Sequence, residues 1–388
     1  MSSQELETAA ATESPAAHPA IRSRERLLSL DVFRGFTLLG MVLVNSHPGR
    51  IYPALSHANW NGWTFTDLIF PFFVFIVGVA IPYSFAGRMA RGESPRKLFW
   101  HISRRCVLLF AVGVFLNGYP QFDLHTLRVM NVLQRIAICY FLASILYVYL
   151  RVETRTMVRL CAAILVLYFV LMRFVPVPGY GAGGLSPESN WGAYIDRAVM
   201  AGHMQHEQYE GKSLLGTFPA LVTMLMGLLT GVYLRTDKPA YEKLTHMFFY
   251  GSLAMGAGAV WSLWFPVNQK LWSSSLVLVM GGLALVFLAT CYYAVDVRKS
   301  TWWTPPCVVF GVNSLAVWVF SQLGMKTLMA IHGAGPDGAA VNLWKAGGDR
   351  LVSYLGPMNG SLAFAILYDL FWLGMMWILY RRRIFIKL

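Results

Sequence analysis

A histidine and an aspartate lie close together where a polar stretch runs into a strongly apolar one. Residues 55–73 read LSHANWNGWTFTDLIFPFF and contain His57 and Asp67. Ionisable side chains are rare within membrane segments because burying them is costly, so those that occur mark candidate functional sites. Imidazole titrates nearest to neutral pH. His57 is therefore suited to act as a general base, or as a nucleophile that carries an acyl group.

Both residues also have a purely structural interpretation. Thr64 and Asp67 have the spacing of a capping box, in which the acid only satisfies the first N–H groups of a helix. Alternatively, Asp67 holds His57 in one tautomer or binds an amine acceptor. A histidine in an interfacial loop is often simply hydrated, and His47 and His125 compete with His57 for any catalytic role. The residues alone leave these alternatives open.

Further polar groups occur inside or at the ends of apolar segments. Asp31 and Arg34 stand at the start of the first segment, where they can form a local ion pair or place a guanidinium at the mouth of a cavity. Asn45 ends the same segment, and its amide can cap a helix or hydrogen-bond a developing oxyanion. Arg135 cannot lose its charge, so it is expected to face a partner or a polar cavity rather than lipid.

The composition is that of an integral membrane protein. Of 388 residues, 56% are hydrophobic and only 13% are charged, whereas soluble domains are typically about 25% charged. The mean hydropathy is +0.51. The net charge of +13 does not indicate nucleic-acid binding, because basic cytosolic loops give membrane proteins such a charge. The five cysteines form no CxxC pair, so they are expected to pack as small apolar residues, with neither a disulfide framework nor a metal site.

Ten apolar stretches are predicted to span the membrane as helices, which makes the fold class all-α. They are roughly residues 31–46, 66–87, 103–117, 129–150, 156–174, 213–234, 243–265, 273–294, 304–329 and 361–380. The ninth is long or broken, since it begins near two prolines. With the N-terminus in the cytosol, the inner segments hold 21 of the 32 lysines and arginines, as the positive-inside rule requires. Both termini are therefore predicted to be cytosolic.

The domain organisation is predicted to be simple. Residues 1–26 are rich in Ala, Ser, Thr and Glu and are predicted to form a disordered cytosolic N-terminus. Residues 27–388 form a single transmembrane domain in this interpretation. Its longest extracytoplasmic loops are predicted near 176–212 and 332–360, and loops of this length commonly have a function or a fold of their own.

Five motifs occur in an order that is typical of one enzyme family. They read LDVFRGFTLLGMVLVN, HANWNGWTFTDLIFPFFVFIVG, NVLQRIAICYFLA, PVNQKLWSSSLVL and GVNSLAVW. Together they resemble the heparan-α-glucosaminide N-acetyltransferase family of transmembrane acyltransferases. The resemblance implies a bacterial inner-membrane homologue that moves an acetyl group from cytosolic acetyl-CoA to an extracytoplasmic amino sugar or glycan. It is also compatible with a homodimer.

The resemblance also implies roles for individual residues. The family's catalytic histidine matches His57 and its active-site asparagine matches Asn45, with a spacing between the two that is one residue longer here. Asp67 is then expected to orient His57. CoA phosphates suit guanidinium geometry, so CoA is expected to contact basic residues. The candidates for this contact are Arg34, Arg104, Arg105 and Arg135.

The alternative function is a secondary transporter for an anionic or sugar-linked solute. Such a protein would use the same intramembrane polar residues for binding and proton coupling, and helices broken near Pro71, Pro305 and Pro306 would suit it. Binding or hydrolysis of acetyl-CoA distinguishes the two functions, since this transporter would do neither. Membrane lipid is a partner in both cases.

Overall fold

The computed structural model describes residues 27–334 and 340–386, so the segment predicted to be disordered, 1–26, lies outside the described residues. Within the described part, the regular secondary structure is helical apart from one short antiparallel hairpin, β1 (His332–Ala334) with β2 (Ala340–Asn342), and an isolated bridge between Val177 and Gly181. The helices are α1 (Leu28–Asn45), α2 (Phe65–Ala90), α3 (Pro95–Gly118), α4 (Val132–Val148), α5 (Thr154–Phe174), α6 (Trp191–Met200), α7 (Thr217–Leu234), α8 (Ala240–Trp261), α9 (Ser274–Cys291), α10 (Pro305–Val312), α11 (Ser314–Ala330), α12 (Leu343–Leu355) and α13 (Pro357–Arg381).

The predicted membrane spans correspond to these helices. Each predicted span overlaps one helix, except that the ninth corresponds to the pair α10 and α11. Among the described residues, seven helices are long and apolar enough to cross a membrane, and the bent pair makes eight. The helix α4 is apolar but shorter, and α8, at 22 residues, is long enough but does not reach the same hydropathy. The prediction of an all-α polytopic membrane protein is confirmed, while membrane crossing by α4 and α8 stays a prediction.

The ninth predicted span is broken, but the break lies at Asn313 rather than at the prolines. The helices α10 and α11 meet there at 84°. Pro305 is the first residue of α10, a position where a missing N–H is tolerated. Asn313 is fully buried; its amide donates to the Ile384 carbonyl at 3.2 Å and accepts from the Ile386 N–H at 3.0 Å. The bend is therefore tied to the C-terminal segment.

Both predicted extracytoplasmic loops contain a helix that the apolar pattern did not reveal. The ten-residue α6 lies within 176–212 and the thirteen-residue α12 within 332–360. Each is short and buries only one face, so a membrane-length window averages it with its polar neighbours. The available signals were two N-caps: Asn190 accepts from the Ala193 N–H and Asn342 from the Lys345 N–H, both at 2.8 Å.

The helix that ends at Asn45 is anchored at its other end by a distant acid. Asp296, in a π-helical turn after α9, accepts from the N–H groups of Leu28 and Ser29, each at 3.2 Å. A carboxylate at a helix N-terminus satisfies free N–H groups and matches the helix dipole. α1 is thus fixed at its start, which steadies the position of Asn45 at its end.

The helices α2 and α7 touch backbone to backbone through glycines. A Cβ atom on Gly227 would lie 2.0 Å from the carbonyl oxygen of Phe75, and one on Gly78 would lie 2.0 Å from that of Met224. Small residues at membrane helix crossings allow such close approach. Because α2 carries Asp67 in its first turn, this crossing holds the helix that positions the acid.

We expect Gly227→Ala to lower the melting temperature of the purified protein by several degrees. The new methyl group would overlap the α2 backbone, and overpacking of this kind costs on the order of 1–3 kcal/mol. The matched control is Gly256→Ala on α8, where a Cβ atom would meet nothing within 4 Å. That variant is expected to keep or slightly raise the melting temperature, because alanine favours a helix over glycine. Equal melting temperatures for the two variants would contradict the glycine contact.

Candidate active site

His57 and Asp67 form a hydrogen-bonded dyad. His57 Nδ1 lies 2.6 Å from Asp67 Oδ1. The carboxylate side chain is 2% exposed, whereas the imidazole is 49% exposed. Since a carboxylate accepts hydrogen bonds, Nδ1 carries the proton and donates it to Asp67. The other ring nitrogen, Nε2, is left to act on a substrate.

The second oxygen of Asp67 holds the start of α2. Asp67 Oδ2 accepts from the backbone N–H groups of Ala58 and Thr64, both at 3.0 Å. The capping box formed by Thr64 and Asp67 is present. The two interpretations of Asp67 from the sequence, a helix cap and a partner of His57, therefore describe different oxygens of one carboxylate. The Ala58 contact also ties the loop carrying His57 to the helix.

His57 and Asn45 line the same cavity, which has a volume of about 320 Å³. Its other polar lining comes from loops and helix ends that are distant in sequence. These residues are Arg128, Asn131, Gln205, Lys212, Gln269 and Gln322, and Thr66 of α2 lines the cavity beside them. The cavity thus lies where the C-terminus of α1 meets the N-terminal ends of α2 and α4 and the segments that lead into α7 and α9. The N-terminal ends of α2 and α4 therefore favour negative charge in the cavity, because the helix dipole is positive there.

Asn45 presents part of its amide to this cavity. Its Nδ2 donates to the Met41 carbonyl at 2.7 Å, one turn earlier on α1. That bond uses one of the two amide hydrogens and fixes the side-chain rotamer. The second hydrogen and the amide oxygen are left for a ligand. The sequence left two roles open for Asn45: its bond to the last turn of α1 is a structural one, and contact with a ligand stays a prediction.

A buried ion pair anchors the loop between α6 and α7, residues 201–216. Arg128 donates to both carboxylate oxygens of Glu210, whose side chain has no exposed surface. The same carboxylate accepts from the N–H groups of Gln205 and Lys212, both at 2.9 Å. The Lys212 side chain enters the cavity, with Nζ 5.1 Å from the ring centroid of Phe70. The loop therefore supplies a cation to the site.

Sequence reasoning missed this ion pair and Lys212. Arg128 and Glu210 are 82 residues apart, and no local pattern links them. The available signal was charge, because Glu210 and Lys212 stand just ahead of an apolar segment, where an unpaired charge is costly. The prediction that residues 176–212 form an extracytoplasmic loop did not indicate where these two charges lie.

Three of the arginines predicted to contact CoA lie away from the cavity. Arg34 precedes Asn45 by about 17 Å along α1, at 1.5 Å per residue, and its guanidinium donates to Asp31 Oδ1 at 3.4 Å. The local ion pair predicted as one alternative for Arg34 is thus formed. Arg104 and Arg105 lie on α3, and Arg104 is exposed. None of the three lines the cavity.

Arg135, the fourth candidate, is enclosed by protein. Its side chain has no exposed surface. Its Nη2 donates to the Ser213 carbonyl at 2.7 Å, and its guanidinium carbon lies 5.1 Å from the ring centroid of Trp272. Arg135 thus meets a protein partner, as expected for a charge at membrane depth, but it has no surface on which to contact CoA. Its hydrogen bond to the Ser213 carbonyl also holds the 201–216 loop in place.

Residue types that bind metals or form disulfides are dispersed. In residues 27–334 and 340–386, no three His, Cys, Asp or Glu side chains are grouped so that they could hold a metal ion. All five cysteines are free, and four of them are buried. The titratable groups at the cavity are therefore those of the dyad, the Arg128–Glu210 pair and Lys212.

The sequence has recognisable relatives. Residues 26–181 match a family described as a domain of unknown function, DUF5009. The heparan-alpha-glucosaminide N-acetyltransferase of Homo sapiens is 32% identical over 349 residues, which cover 76% of this chain and 52% of that protein. That of Mus musculus is 31% identical over 352 residues, with 76% and 53% covered. The chain is a homologue of these transferases. The resemblance inferred from the five motifs is thereby confirmed.

This transferase homologue spans about half the length of the curated relatives that it matches. The DUF5009 match includes the dyad, Asn45 and Arg128, whereas Lys212 lies beyond it. The relatives are named as N-acetyltransferases, so the homology supports an acyltransferase. Acyl transfer is commonly assisted by a general base or a nucleophile.

Proposed function

We propose that this protein is a transmembrane acetyltransferase that moves an acetyl group from cytosolic acetyl-CoA to an extracytoplasmic acceptor, an amino sugar or glycan. The observation that carries the proposal is the bond between His57 and Asp67 beside a cavity shared with Asn45. An imidazole oriented by a buried carboxylate is a recurring form of general base. The homology to two N-acetyltransferases favours acetyl transfer among the reactions that such a base can serve.

In this mechanism, His57 Nε2 removes a proton from the acceptor nitrogen as that nitrogen attacks the thioester carbonyl carbon. A C–N bond forms, the C–S bond breaks and CoA leaves. Asp67 stabilises the imidazolium that results. Asn45 donates its free amide hydrogen to the oxygen on which negative charge develops. A ping-pong route, in which His57 first accepts the acetyl group, would use the same residues and release CoA before the acceptor reacts.

The donor is proposed to enter from the face opposite the dyad. The cavity of about 320 Å³ is at the lower end of the range for small-molecule sites. It suits the acetyl thioester and part of an acceptor, so the nucleotide end of CoA must lie elsewhere. We assign its phosphates to Arg34, Arg104 and Arg105, which lie toward the predicted cytosolic ends of α1 and α3, and not to the enclosed Arg135.

The membrane setting follows from the apolar helices. Exposed apolar side chains on them, such as Val107 on α3 and Leu167 on α5, suit contact with lipid. Location in a bacterial inner membrane, cytosolic termini and a homodimer stay predictions of the sequence.

Proteoliposomes that enclose glucosamine and receive labelled acetyl-CoA from outside test the proposed function. Acetyl-CoA does not cross lipid bilayers, so we expect labelled N-acetylglucosamine inside the vesicles and an equal amount of free CoA outside. Vesicles without protein, or with heat-denatured protein, are the controls. Purified protein that neither binds nor hydrolyses acetyl-CoA would overturn the assignment.

A secondary transporter remains the second candidate because of one observation. The 84° break between α10 and α11 is the kind of discontinuous helix that lines transporter binding sites. In the same vesicles, a transporter would accumulate or release an unmodified solute and leave acetyl-CoA intact. Chemical analysis of the vesicle contents therefore separates the two functions in one experiment.

A further inference from the structure

We propose that Lys212 is a second proton-transfer residue of this site, which gives a proton to the sulfur of the departing CoA. This role rests on acetyl transfer being the reaction. His57 takes a proton from the acceptor, but nothing in that step neutralises the leaving thiolate. A thiolate released into a partly apolar cavity would carry an uncompensated charge, which is costly. An ammonium in the same cavity removes that cost by supplying the missing proton.

Lys212 and the dyad share one wall of the cavity. Lys212 Nζ lies 5.1 Å from the ring centroid of Phe70. Phe70 follows Asp67 by three residues on α2, so the two side chains are neighbours on one helix face. Lys212 also lines the same cavity as His57 and Asn45. A thioester held between His57 and Asn45 therefore lies in the same cavity as the Lys212 ammonium.

The position of Lys212 is set by its backbone. The Lys212 N–H donates to Glu210 Oε1 at 2.9 Å. Glu210 is itself enclosed and bound by Arg128. This ion pair fixes the backbone of the loop. The Cα atom of Lys212 therefore has a fixed position, although the side chain beyond it is flexible. Groups that act on a reacting atom need such support.

The carboxylates near Lys212 are already engaged by other donors. Asp67 accepts from His57 and from two backbone N–H groups. Glu210 accepts from Arg128 and from two backbone N–H groups. Within the part of the chain that the structure describes, the ammonium contacts an aromatic face and has no hydrogen-bond acceptor or ion-pair partner. Lys212 is partly buried and lines the cavity, so a purely structural ion pair does not account for its position.

The charges around Lys212 make both of its protonation states accessible near neutral pH. Burial, reinforced by the guanidinium groups of Arg135 and Arg128, lowers the pKa of the Lys212 ammonium to about 7, while the carboxylates of Glu210 and Asp67 oppose that shift. A general acid is most effective when its pKa lies near the working pH. A lysine in water has a pKa of about 10.4 and would hold its proton too firmly for this role.

The protons and electrons of the transfer balance with these two residues. The acceptor nitrogen bonds to the carbonyl carbon and loses a proton to His57 Nε2. The C–S bond breaks, its electron pair stays on sulfur, and sulfur takes a proton from Lys212. The cycle ends with an imidazolium and a neutral amine, and one proton passing from the first to the second restores the starting state.

The test compares two acetyl donors in Lys212→Met, which keeps the length of the apolar stem and loses the amine. Acetyl-CoA has a weakly acidic thiol that needs a proton on leaving, whereas S-acetyl thionitrobenzoate releases an acidic thiol that does not. We expect Lys212→Met to slow turnover of acetyl-CoA by roughly 10²–10³-fold, within the range for loss of a general acid, and to slow the acidic-thiol donor less than about fivefold. Lys212→Arg keeps the charge but cannot release a proton, so it is expected to recover part of the rate lost in Lys212→Met and to stay well below the wild type.

The matched control is Lys238→Met, since Lys238 pairs with Glu242 at the surface and does not line the cavity. This variant is expected to leave both donor rates unchanged. Equal losses with both donors in Lys212→Met, or full activity in Lys212→Arg, would overturn the proton-donor role. Wild-type protein that turns over neither donor would refute acetyl transfer itself, and the role of Lys212 with it. A melting temperature close to that of the wild type shows that each variant is folded.

Discussion

Replacing His57 by alanine is expected to slow acetyl transfer by about 10²–10⁴-fold, the range for removal of a general base. Its imidazole is half exposed, so it can reach a substrate, and it is bonded to a buried carboxylate that orients it. Acetyl-CoA binding should persist, because the proposed phosphate contacts lie on α1 and α3. Initial rates with acetyl-CoA, and CoA affinity by calorimetry, measure the two effects separately.

The matched control for this variant is His47→Ala. His47 is partly exposed, its Nδ1 is 2.9 Å from the Gly49 carbonyl and it does not line the cavity, so its loss should leave the rate unchanged. Removing His57 also takes one donor from Asp67, and an unsatisfied buried acceptor costs on the order of 1–3 kcal/mol. His57→Gln can still donate to that carboxylate, so it tests the loss of the base with less effect on stability. Full activity in either His57 variant would refute the catalytic assignment.

Asp67→Asn is expected to reduce the rate by a comparable factor while the fold is retained. The amide oxygen of asparagine can still accept from the backbone N–H groups that Asp67 Oδ2 now binds. Its amino group, however, donates to Nδ1 of His57 and so leaves the ring proton on Nε2, where it blocks the base. In the Ser-His-Asp triad the same change costs about 10⁴-fold. We therefore expect kcat to fall with little change in KM for acetyl-CoA.

This kinetic pattern separates a positioning role from a structural one. A merely destabilised variant would lose active protein and lower its melting temperature, whereas Asp67→Asn should melt near the wild type. Asp67→Glu, which keeps the charge, is expected to recover part of kcat. Asp123→Asn changes a carboxylate of an exposed loop and should leave the kinetics unaltered. An Asp67→Asn enzyme with normal kcat would show that the carboxylate only caps α2.

The helices that cross the membrane were largely predictable, because hydropathy over about 20 residues reports directly on transfer into lipid. The failures have local physical causes. α6 and α12 are short and bury one face, so their apolar residues are too few to raise the hydropathy of a membrane-length window. The bend at Asn313 depends on bonds to the backbone of Ile384 and Ile386. Contacts between residues more than 70 positions apart leave no periodic signal.

The candidate site was predictable only where one short segment supplies it. His57 and Asp67 lie within a single loop-to-helix transition, and Asn45 ends the preceding helix, so chain connectivity brings them together. Lys212 and Arg128 reach the same cavity through tertiary folding, which no spacing reveals. The four candidate arginines show the opposite case. They were predicted to share a CoA site because they have the same residue type, but the fold places them apart.

The glycine contact between α2 and α7 also has a mechanical consequence. Two backbones in direct contact cannot slide past each other without steric overlap, so the two helices form one rigid body. Asp67, at the start of α2, is carried by this body, and Lys212, in the loop ahead of α7, contacts it through Phe70. Any widening of the cavity that admits an acetyl thioester must therefore come from its other lining elements, which include Asn45 on α1 and Gln322 on α11 of the kinked α10–α11 pair.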